Sequence, residues 1–235
     1  VLGNSLTANK LIISDAGKAA ENTIAGGANV TLTELSLGKN NALFVGESGD
    51  GTPENLGSSA KVYTGSLKMN ATGSSIFVDP NYGTGASLFA TDNIGDNGST
   101  VSGKVGIGSN SAFGVGFASM AEFEETLSPY LTNNGGFDGE GAVKNALVLN
   151  KPVTIGADQG ITVDRELKAT DYDTKVSGNA LTLGAGAALI VTNEALAADG
   201  AVKFANGAGK VNAAAAKSSL VIFAADVTKQ DSGKK

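Results

Sequence analysis

One pattern recurs along this chain and limits the folds that it can form. Five segments consist of two alternating apolar runs joined by a small or polar corner, and they start at intervals of about 32 to 42 residues. Alternation at period two predicts short strands with one buried face, and Gly, Asn or Thr between them suits a tight corner. The repeated unit is therefore strand, corner, strand. The five segments are Leu35–Val45, Leu67–Val78, Val105–Val115, Leu147–Ile155 and Leu181–Val191.

Two arrangements of this unit are open. Two strands joined by a few residues usually pair antiparallel, as a hairpin. In the alternative, a solenoid coil, the corner turns the chain into another sheet and each strand pairs with its counterpart in the next coil. The repetition, the small corner residues and an aromatic content of only 6% favour the coil. At about 20 residues per coil, each unit is expected to hold two coils.

One segment departs from the strand pattern. Ser119 and Glu122 form a capping box, and Met120, Phe123 and Leu127 lie at helical spacing. This predicts one short helical excursion from the sheets. Its apolar side chains either pack against the side of the solenoid, which is the commoner arrangement, or project as a contact element.

Composition excludes several classes of chemistry. The chain has no cysteine and no histidine, which rules out disulfides, Cys/His zinc sites, haem ligation by His and His-based catalytic triads. A net charge of −6 and a single arginine make nucleic acid a poor partner. No apolar run approaches the ~18 residues that cross a bilayer, so no direct membrane insertion is expected. We predict a protein that is not an enzyme and holds no cofactor.

Carboxylates are the remaining candidates for catalysis or metal binding. Asp79, Asp164 and Glu166 stand at strand ends, where two acids about 5 to 9 Å apart could hydrolyse a glycosidic bond. Asp138 and Glu140 lie in a glycine-rich loop of the kind that holds calcium. Turn chemistry and surface ion pairing account for these residues, so we assign neither a catalytic nor a metal site.

Polar side chains on strands and corners are the candidate ligand contacts. Their hydroxyl and amide groups could hydrogen-bond a glycan or a sister molecule, and solvated turn residues are the other interpretation. Apolar residues of the predicted helix join them if that helix projects. The candidate contact residues are Thr31, Thr33, Asn40, Asn41, Met120 and Phe123.

With these cornered, alternating segments the chain resembles the passenger domains of Gram-negative autotransporter adhesins, the pertactin-like proteins of type V secretion. The likeness covers about Leu11 to Phe223 and is clearest at Leu35–Val45, Val105–Val115 and Leu181–Val191. The resemblance implies a right-handed parallel β-helix that is extracellular or on the bacterial cell surface, tethered to the outer membrane in the parent protein. It also implies adhesion or self-association, with a host-cell glycan, a host protein or a sister passenger molecule as the partner.

The expected organisation is one β-solenoid passenger fragment over residues 1–228 and a polar tail at residues 229–235, cut from a longer protein. Two other interpretations stay open: a polysaccharide-active β-helix enzyme and a β-sandwich module of surface-layer or pilin-like type. Antiparallel pairing of Leu35–Leu37 with Leu43–Val45 would favour the sandwich. A groove lined with acids would favour the enzyme.

Overall fold

Eighteen β-strands make up most of the described structure and confirm the all-β class. The computed structural model describes residues 2–25, 27–46, 60–69, 73–78, 87–94, 100–101, 103–108, 111–119, 121–123, 125, 145–156, 160–164, 167, 176, 180–184, 187–193, 195, 202–204, 209–213 and 219–224. The predicted tail at residues 229–235 lies outside these ranges. The strands are β1 (Leu6–Ile13), β2 (Ala20–Ile24), β3 (Asn29–Leu37), β4 (Asn41–Val45), β5 (Lys61–Met69), β6 (Ser75–Val78), β7 (Ser87–Ile94), β8 (Thr100–Val101), β9 (Lys104–Ile107), β10 (Ala112–Val115), β11 (Asn145–Leu149), β12 (Val153–Ile155), β13 (Gly160–Val163), β14 (Ala180–Leu183), β15 (Ala187–Thr192), β16 (Val202–Phe204), β17 (Lys210–Ala213) and β18 (Ser219–Ala224).

Three sheets contain these strands, and every pairing between them is parallel. The eight-stranded sheet has the order β1-β3-β5-β7-β10-β11-β15-β18. The seven-stranded sheet has the order β17-β14-β13-β9-β6-β4-β2, and the three-stranded sheet the order β16-β12-β8. Position in each sheet follows chain order, so neighbouring strands come from successive passages of the chain.

The strand–corner–strand unit is not a hairpin. Its first run, Leu35–Leu37, lies in β3, which pairs with β1 and β5. Its second run, Leu43–Val45, lies in β4, which pairs with β2 and β6 in the other large sheet. The corner therefore moves the chain from one sheet to another. Leu35–Leu37 and Leu43–Val45 do not pair with each other, so the antiparallel pairing that would favour a sandwich does not occur.

The expectation of two coils per unit is also wrong. Leu35 pairs directly with Leu67, and Leu43 pairs directly with Ile76, so the first two units are immediate neighbours in both sheets. The units also begin in different sheets. Leu35 and Leu67 begin the first two units in the eight-stranded sheet, whereas Val105 begins the third unit in the seven-stranded sheet. Alternation specifies which residues face inward, and it leaves open which sheet receives them.

The inward residues of the sheets form one hydrophobic core, with aliphatic side chains aligned from strand to strand. One such column crosses the seven-stranded sheet, and all of its interior members are at most 1% exposed. Burial of this kind contributes about 25 cal/mol for each Å² of apolar surface removed from water. The column contains Leu43, Ile76, Val105, Ile161 and Leu181.

Two segments leave the sheets and return to the next strand of the same sheet. The first joins β10 to β11 in the eight-stranded sheet. From it, Phe117 and Phe123 stack edge to face at 5.2 Å between ring centroids and cover Val148 and Ile190 on the outer side of the sheet. This apolar outer patch is thereby removed from water.

The second segment joins β13 to β14 in the seven-stranded sheet. Leu167 and Val176 from this segment are buried in a cluster with Phe44 and Phe77 of the sheet. The two rings lie edge to face, with centroids 6.1 Å apart. Among the described residues, each large sheet therefore has an apolar patch on its outer side, and described residues of the segment that joins two of its strands cover that patch.

A helical turn at residues 121–123 contains part of the predicted capping box. The Ser119 hydroxyl accepts a hydrogen bond from the Glu122 amide at 3.2 Å, as predicted. The Glu122 carboxylate accepts from the amide of Ala118 at 2.7 Å, one residue before the expected partner. Met120 and Leu127 lie outside the described residues.

Corner glycines lie against acidic side chains of the neighbouring passage. A Cβ on Gly38 would stand 2.6 Å from Oδ1 of Asp15, and a Cβ on Gly184 would overlap the carboxylate of Asp164. Such separations are far inside van der Waals contact, so only glycine fits. This close approach explains part of the high glycine content, which is 33 of 235 residues.

Candidate contact surface

The outer side of β1, β3 and β5, called the contact face below, presents most of the exposed polar side chains predicted for ligand contact. Along β3 the burial alternates, with Val30, Leu32, Leu35 and Leu37 inward. Thr31 and Thr33 are exposed on the opposite side, as their place in the alternation predicts. The core thus positions both threonines through the inward residues on either side of them.

A break in alternation places two consecutive residues of β3 outward. Leu32 and Leu35 are both buried, so Thr33 and Glu34 lie between two inward positions. The pairing of β3 with β5 continues across this point, and a Cβ on Gly65 of β5 would stand 2.7 Å from the carbonyl oxygen of Thr33. The close backbone approach requires glycine there. The break lets Glu34 join the contact face.

Three hydroxyl groups form a row across the contact face. Thr7, Thr31 and Tyr63 are in register on adjacent strands, so their Cα atoms follow one another at about 4.8 Å. The Tyr63 hydroxyl donates a hydrogen bond to the carbonyl of Ala118 at 2.8 Å. That bond fixes the tyrosine ring toward the segment after β10. The row combines hydroxyl donors and acceptors with one aromatic side chain.

An ion-paired row lies beside it. Glu34 is in register with Lys10 and bonds its ammonium group, and Lys68 contacts the second carboxylate oxygen at 2.8 Å. Hydrogen bonds from two ammonium groups hold the pKa of the Glu34 carboxyl below its usual value of 4.5. The bond from Lys10 contributes most, and the bond from Lys68 comes second. Because two ammonium groups share one carboxylate, this row has a net charge of +1. Its two lysine side chains are about half exposed.

Asn40 and Asn41 lie at a corner, away from the contact face. The Asn41 side-chain amide donates to the carbonyl of Ser14 at 2.8 Å, and its oxygen accepts from Asn22 at 3.1 Å. The Asn40 amide donates to the carbonyl of Ala16 at 2.9 Å, and its backbone has a φ of 58°. Asn41 is only 2% exposed. Both amides therefore tie one passage of the chain to the next.

Phe123 is 1% exposed and packs on the outer side of the eight-stranded sheet. This is the packed arrangement that the sequence left open beside a projecting one. Of the six candidate contact residues, the structure brings Thr31 and Thr33 together, while Asn40 and Asn41 share a corner. Met120 lies outside the described residues.

The sequence did not identify the ion-paired row or Tyr63 as part of this surface. Lys10 and Glu34 are 24 positions apart along the chain, and Lys68 is further still. Only the register of β1, β3 and β5 makes them neighbours. A regular repeat length would have supplied that register, but the intervals in this chain vary.

The acidic candidates are not brought together where the structure describes them. Asp164 lies half-buried at the corner after β13, beside Gly184. Asp79, Asp138, Glu140 and Glu166 lie outside the described residues. Among the residues described, no three acidic side chains are grouped closely enough to hold a metal ion. No helix in the described ranges has the length and apolar character to cross a membrane.

Comparison with known proteins adds no further identification. Searches with this sequence and structure found no matching family model, no matching curated protein and no matching solved structure.

Proposed function

We propose that this chain is a right-handed parallel β-helix from a bacterial surface or secreted protein, and that it acts in attachment or self-association through its lateral faces. The order in which the chain visits its sheets supports the helix. Strands β7 to β9, β11 to β13 and β15 to β17 each pass through the eight-, three- and seven-stranded sheets in that sequence. A right-handed course is favoured because connections between parallel strands of one sheet have this hand in about 98% of cases.

The observation that carries the attachment role is the exposed hydroxyl row of the contact face. Thr7 and Thr31, two members of that row, are exposed and in register, and Thr33, beside the row, adds a further exposed hydroxyl on the same side. Hydroxyl groups both donate and accept, so an ordered row suits the hydroxyls and amides of a glycan chain. Contacts of this kind are individually weak, and affinity comes from their number.

The ion-paired row indicates which chemical class of partner this surface favours. Its net positive charge comes from Lys10 and Lys68, which share Glu34 and remain about half exposed. A carboxylate or sulfate group on a ligand would find ammonium donors within reach of the hydroxyl row. We therefore expect an acidic glycan, or an acidic protein surface, to bind better than a neutral glycan.

A binding series on immobilised glycans and host-cell surfaces tests this proposal. A single Thr31→Ala substitution should change the dissociation constant by less than about threefold, and replacing Thr7, Thr31 and Thr33 together should weaken binding more than about tenfold. Thr182→Ala, on the seven-stranded sheet, is the matched control and should leave binding unchanged. Absence of binding to every surface tested, or complete loss from Thr31→Ala alone, would contradict the proposal.

A further inference from the structure

The contact face differs in charge from the chain as a whole. Strands β1, β3 and β5 carry three lysines and one acidic residue, all at outward positions, and their net charge is +2. The whole chain has a net charge of −6, so the residues outside these strands are more acidic still. A surface whose sign opposes the rest of the molecule attracts acidic ligands to one place. The four charged residues are Lys10, Lys61, Lys68 and Glu34.

The ion-paired row shows that this face can hold a carboxylate. Lys10 bonds one oxygen of the Glu34 carboxylate, and Lys68 contacts the other at 2.8 Å. An ammonium group has three N–H donors, so each lysine can bond a second acceptor as well. Both lysine side chains are about half exposed, and together they exceed the charge of Glu34 by one. A carboxylate from solvent can therefore bind beside that of Glu34.

Two rows of different chemistry run side by side along the stack. The hydroxyl row and the ion-paired row both cross β1, β3 and β5, and between them lie the exposed side chains of Asn9 and Thr33. Gly65 occupies the same place on β5 and adds no side chain. Hydroxyl groups therefore border this strip on one side, and ammonium groups border it on the other. A ligand that meets both rows needs hydroxyl groups and acidic groups on its own surface.

The spacing of the strands matches a repeating sugar chain. Each strand advances the contact face by about 4.8 Å, which is close to the length of one pyranose residue in an extended glycan. A linear glycan that lies along the stack therefore offers one sugar to each strand. Its hydroxyl and acidic groups then recur at nearly the same interval as the two rows. The surface of a folded protein has no such regular repeat, so the spacing favours a glycan over an acidic protein.

We infer that the contact face binds a linear polysaccharide of uronic acids, which lies along the stack and across β1, β3 and β5 with one sugar at each strand. Carboxylates of the ligand bond Lys10 and Lys68. Its hydroxyl groups face Thr7 and Thr31, and its sugar rings lie over the strip that contains Thr33. The inference rests on the attachment part of the proposed function, and it adds the class of the ligand and the direction in which the ligand lies.

Isothermal titration of the 235-residue chain with galacturonic acid and its linear dimer and trimer tests the ligand class. The trimer should bind at least about tenfold more tightly than the single sugar, because it makes contacts at three strands. The methyl ester of the trimer keeps the sugar chain and loses the charges, so it should bind at least about tenfold more weakly. Poly-glutamate of equal charge is the second control, and it should also bind more weakly because it lacks the sugar hydroxyl groups.

Variants of the contact face test the direction in which the ligand lies. Lys10→Gln on β1 and Lys68→Gln on β5 should each weaken trimer binding about three- to tenfold, since a ligand across the strands meets both lysines. Lys10→Arg keeps the charge and should bind the trimer within about threefold of the wild type. Lys18→Gln, at an exposed corner, is the matched control for the loss of a charge. Asn29→Ala, at the exposed start of β3, should have no effect unless the ligand lies along that strand.

Failure of the wild-type chain to bind the trimer would overturn the inference. Equal affinity for the methyl ester or for poly-glutamate would also overturn it, since either the acidic groups or the sugar would then be irrelevant. A loss of binding in Asn29→Ala, with none in Lys10→Gln and Lys68→Gln, would place the ligand along β3 and contradict the direction. Binding to neutral glycans or host cells that persists in any of these cases would leave the proposed attachment intact. Circular dichroism of each variant checks that the fold is kept.

Discussion

At the scale of single residues, close approach between neighbouring strands decides which side chains fit. Gly106 in β9 lies beside Phe77 in β6, and a Cβ on this glycine would stand 2.6 Å from Cδ2 of the ring and 3.0 Å from Cδ2 of Leu167. Phe77 is 1% exposed and is held by Phe44 and the covering segment. The ring therefore has little room to move when a methyl group is added.

Gly106→Ala should lower the free energy of unfolding by about 1 to 3 kcal/mol, because overpacking displaces a buried ring. Urea denaturation followed by circular dichroism measures the loss. Gly17→Ala is the matched control, since nothing lies within 4 Å of a Cβ built there. An equal loss in both variants would show that packing at Phe77 is not the cause.

The Glu34 carboxylate should make stability depend on pH. Hydrogen bonds from Lys10 and Lys68 lower its pKa in the folded chain below the ordinary 4.5. The stabilisation is therefore fully present above about pH 4.5 and is lost as the pH falls through the folded-state pKa. Glu34→Gln should remove this part of the acid-side decline in unfolding free energy. Glu125→Gln, at an exposed carboxylate on the helical turn, should keep it.

At the scale of elements, corners are built by side-chain amides that join successive passages. Asn41 donates to three carbonyl oxygens, those of Ser14, Gly38 and Lys39, at 2.8 to 3.2 Å. These carbonyls belong to two different corners, so one side chain holds both in place. The buried amide stays hydrogen-bonded where a sheet ladder has ended.

Asn41→Ala should cost about 1 to 3 kcal/mol of unfolding free energy, because the hydrogen bonds from a buried side-chain amide to three carbonyl oxygens are lost. Thermal or urea unfolding measures the cost. Asn29→Ala, at an exposed position of β3, is the control and should change stability by less than about 0.5 kcal/mol. A neutral Asn41→Ala would mean that water replaces the amide at this corner.

The sequence predicts the strands and corners more completely than it predicts the contact surface. Period-two alternation predicts strands at Leu35–Leu37 and Leu43–Val45, and the small and polar residues between them predict the corner. The sheet to which Val105–Ile107 belongs was not predictable, because alternation records burial and carries no information about pairing partners. For the same reason Thr31 could be placed outward, while its neighbours Thr7 and Tyr63 could not be named.

At the scale of the whole molecule, contacts run from strand to adjacent strand, so stability should vary along the stack. Interior strands such as β11 have neighbours on both sides, and β1 has a described neighbour on one side. In stacked architectures the stability of each layer depends on its own packing and on the layers that it touches. The ends are therefore expected to open more readily than the middle.

Amide hydrogen exchange should resolve this gradient. Amides of β11 and β13 should exchange at rates close to those set by global unfolding, and amides of β1 should exchange at least about tenfold faster through local opening. Mass spectrometry after pepsin digestion gives the rates by segment. Uniform protection from β1 to β18 would instead indicate a single cooperative unit.

The two segments that leave a sheet and rejoin it at the adjacent strand are sites where this chain can accept insertions. After Val115 and after Val163 the backbone resumes the interrupted ladder with the next strand in place, so the number of residues between departure and return is not set by the stack. Residues can be inserted at these two sites while the paired strands on either side keep their positions. They are the natural positions for grafting a foreign epitope, and equally the positions at which lineages of this protein could diverge in length and acquire new specificity.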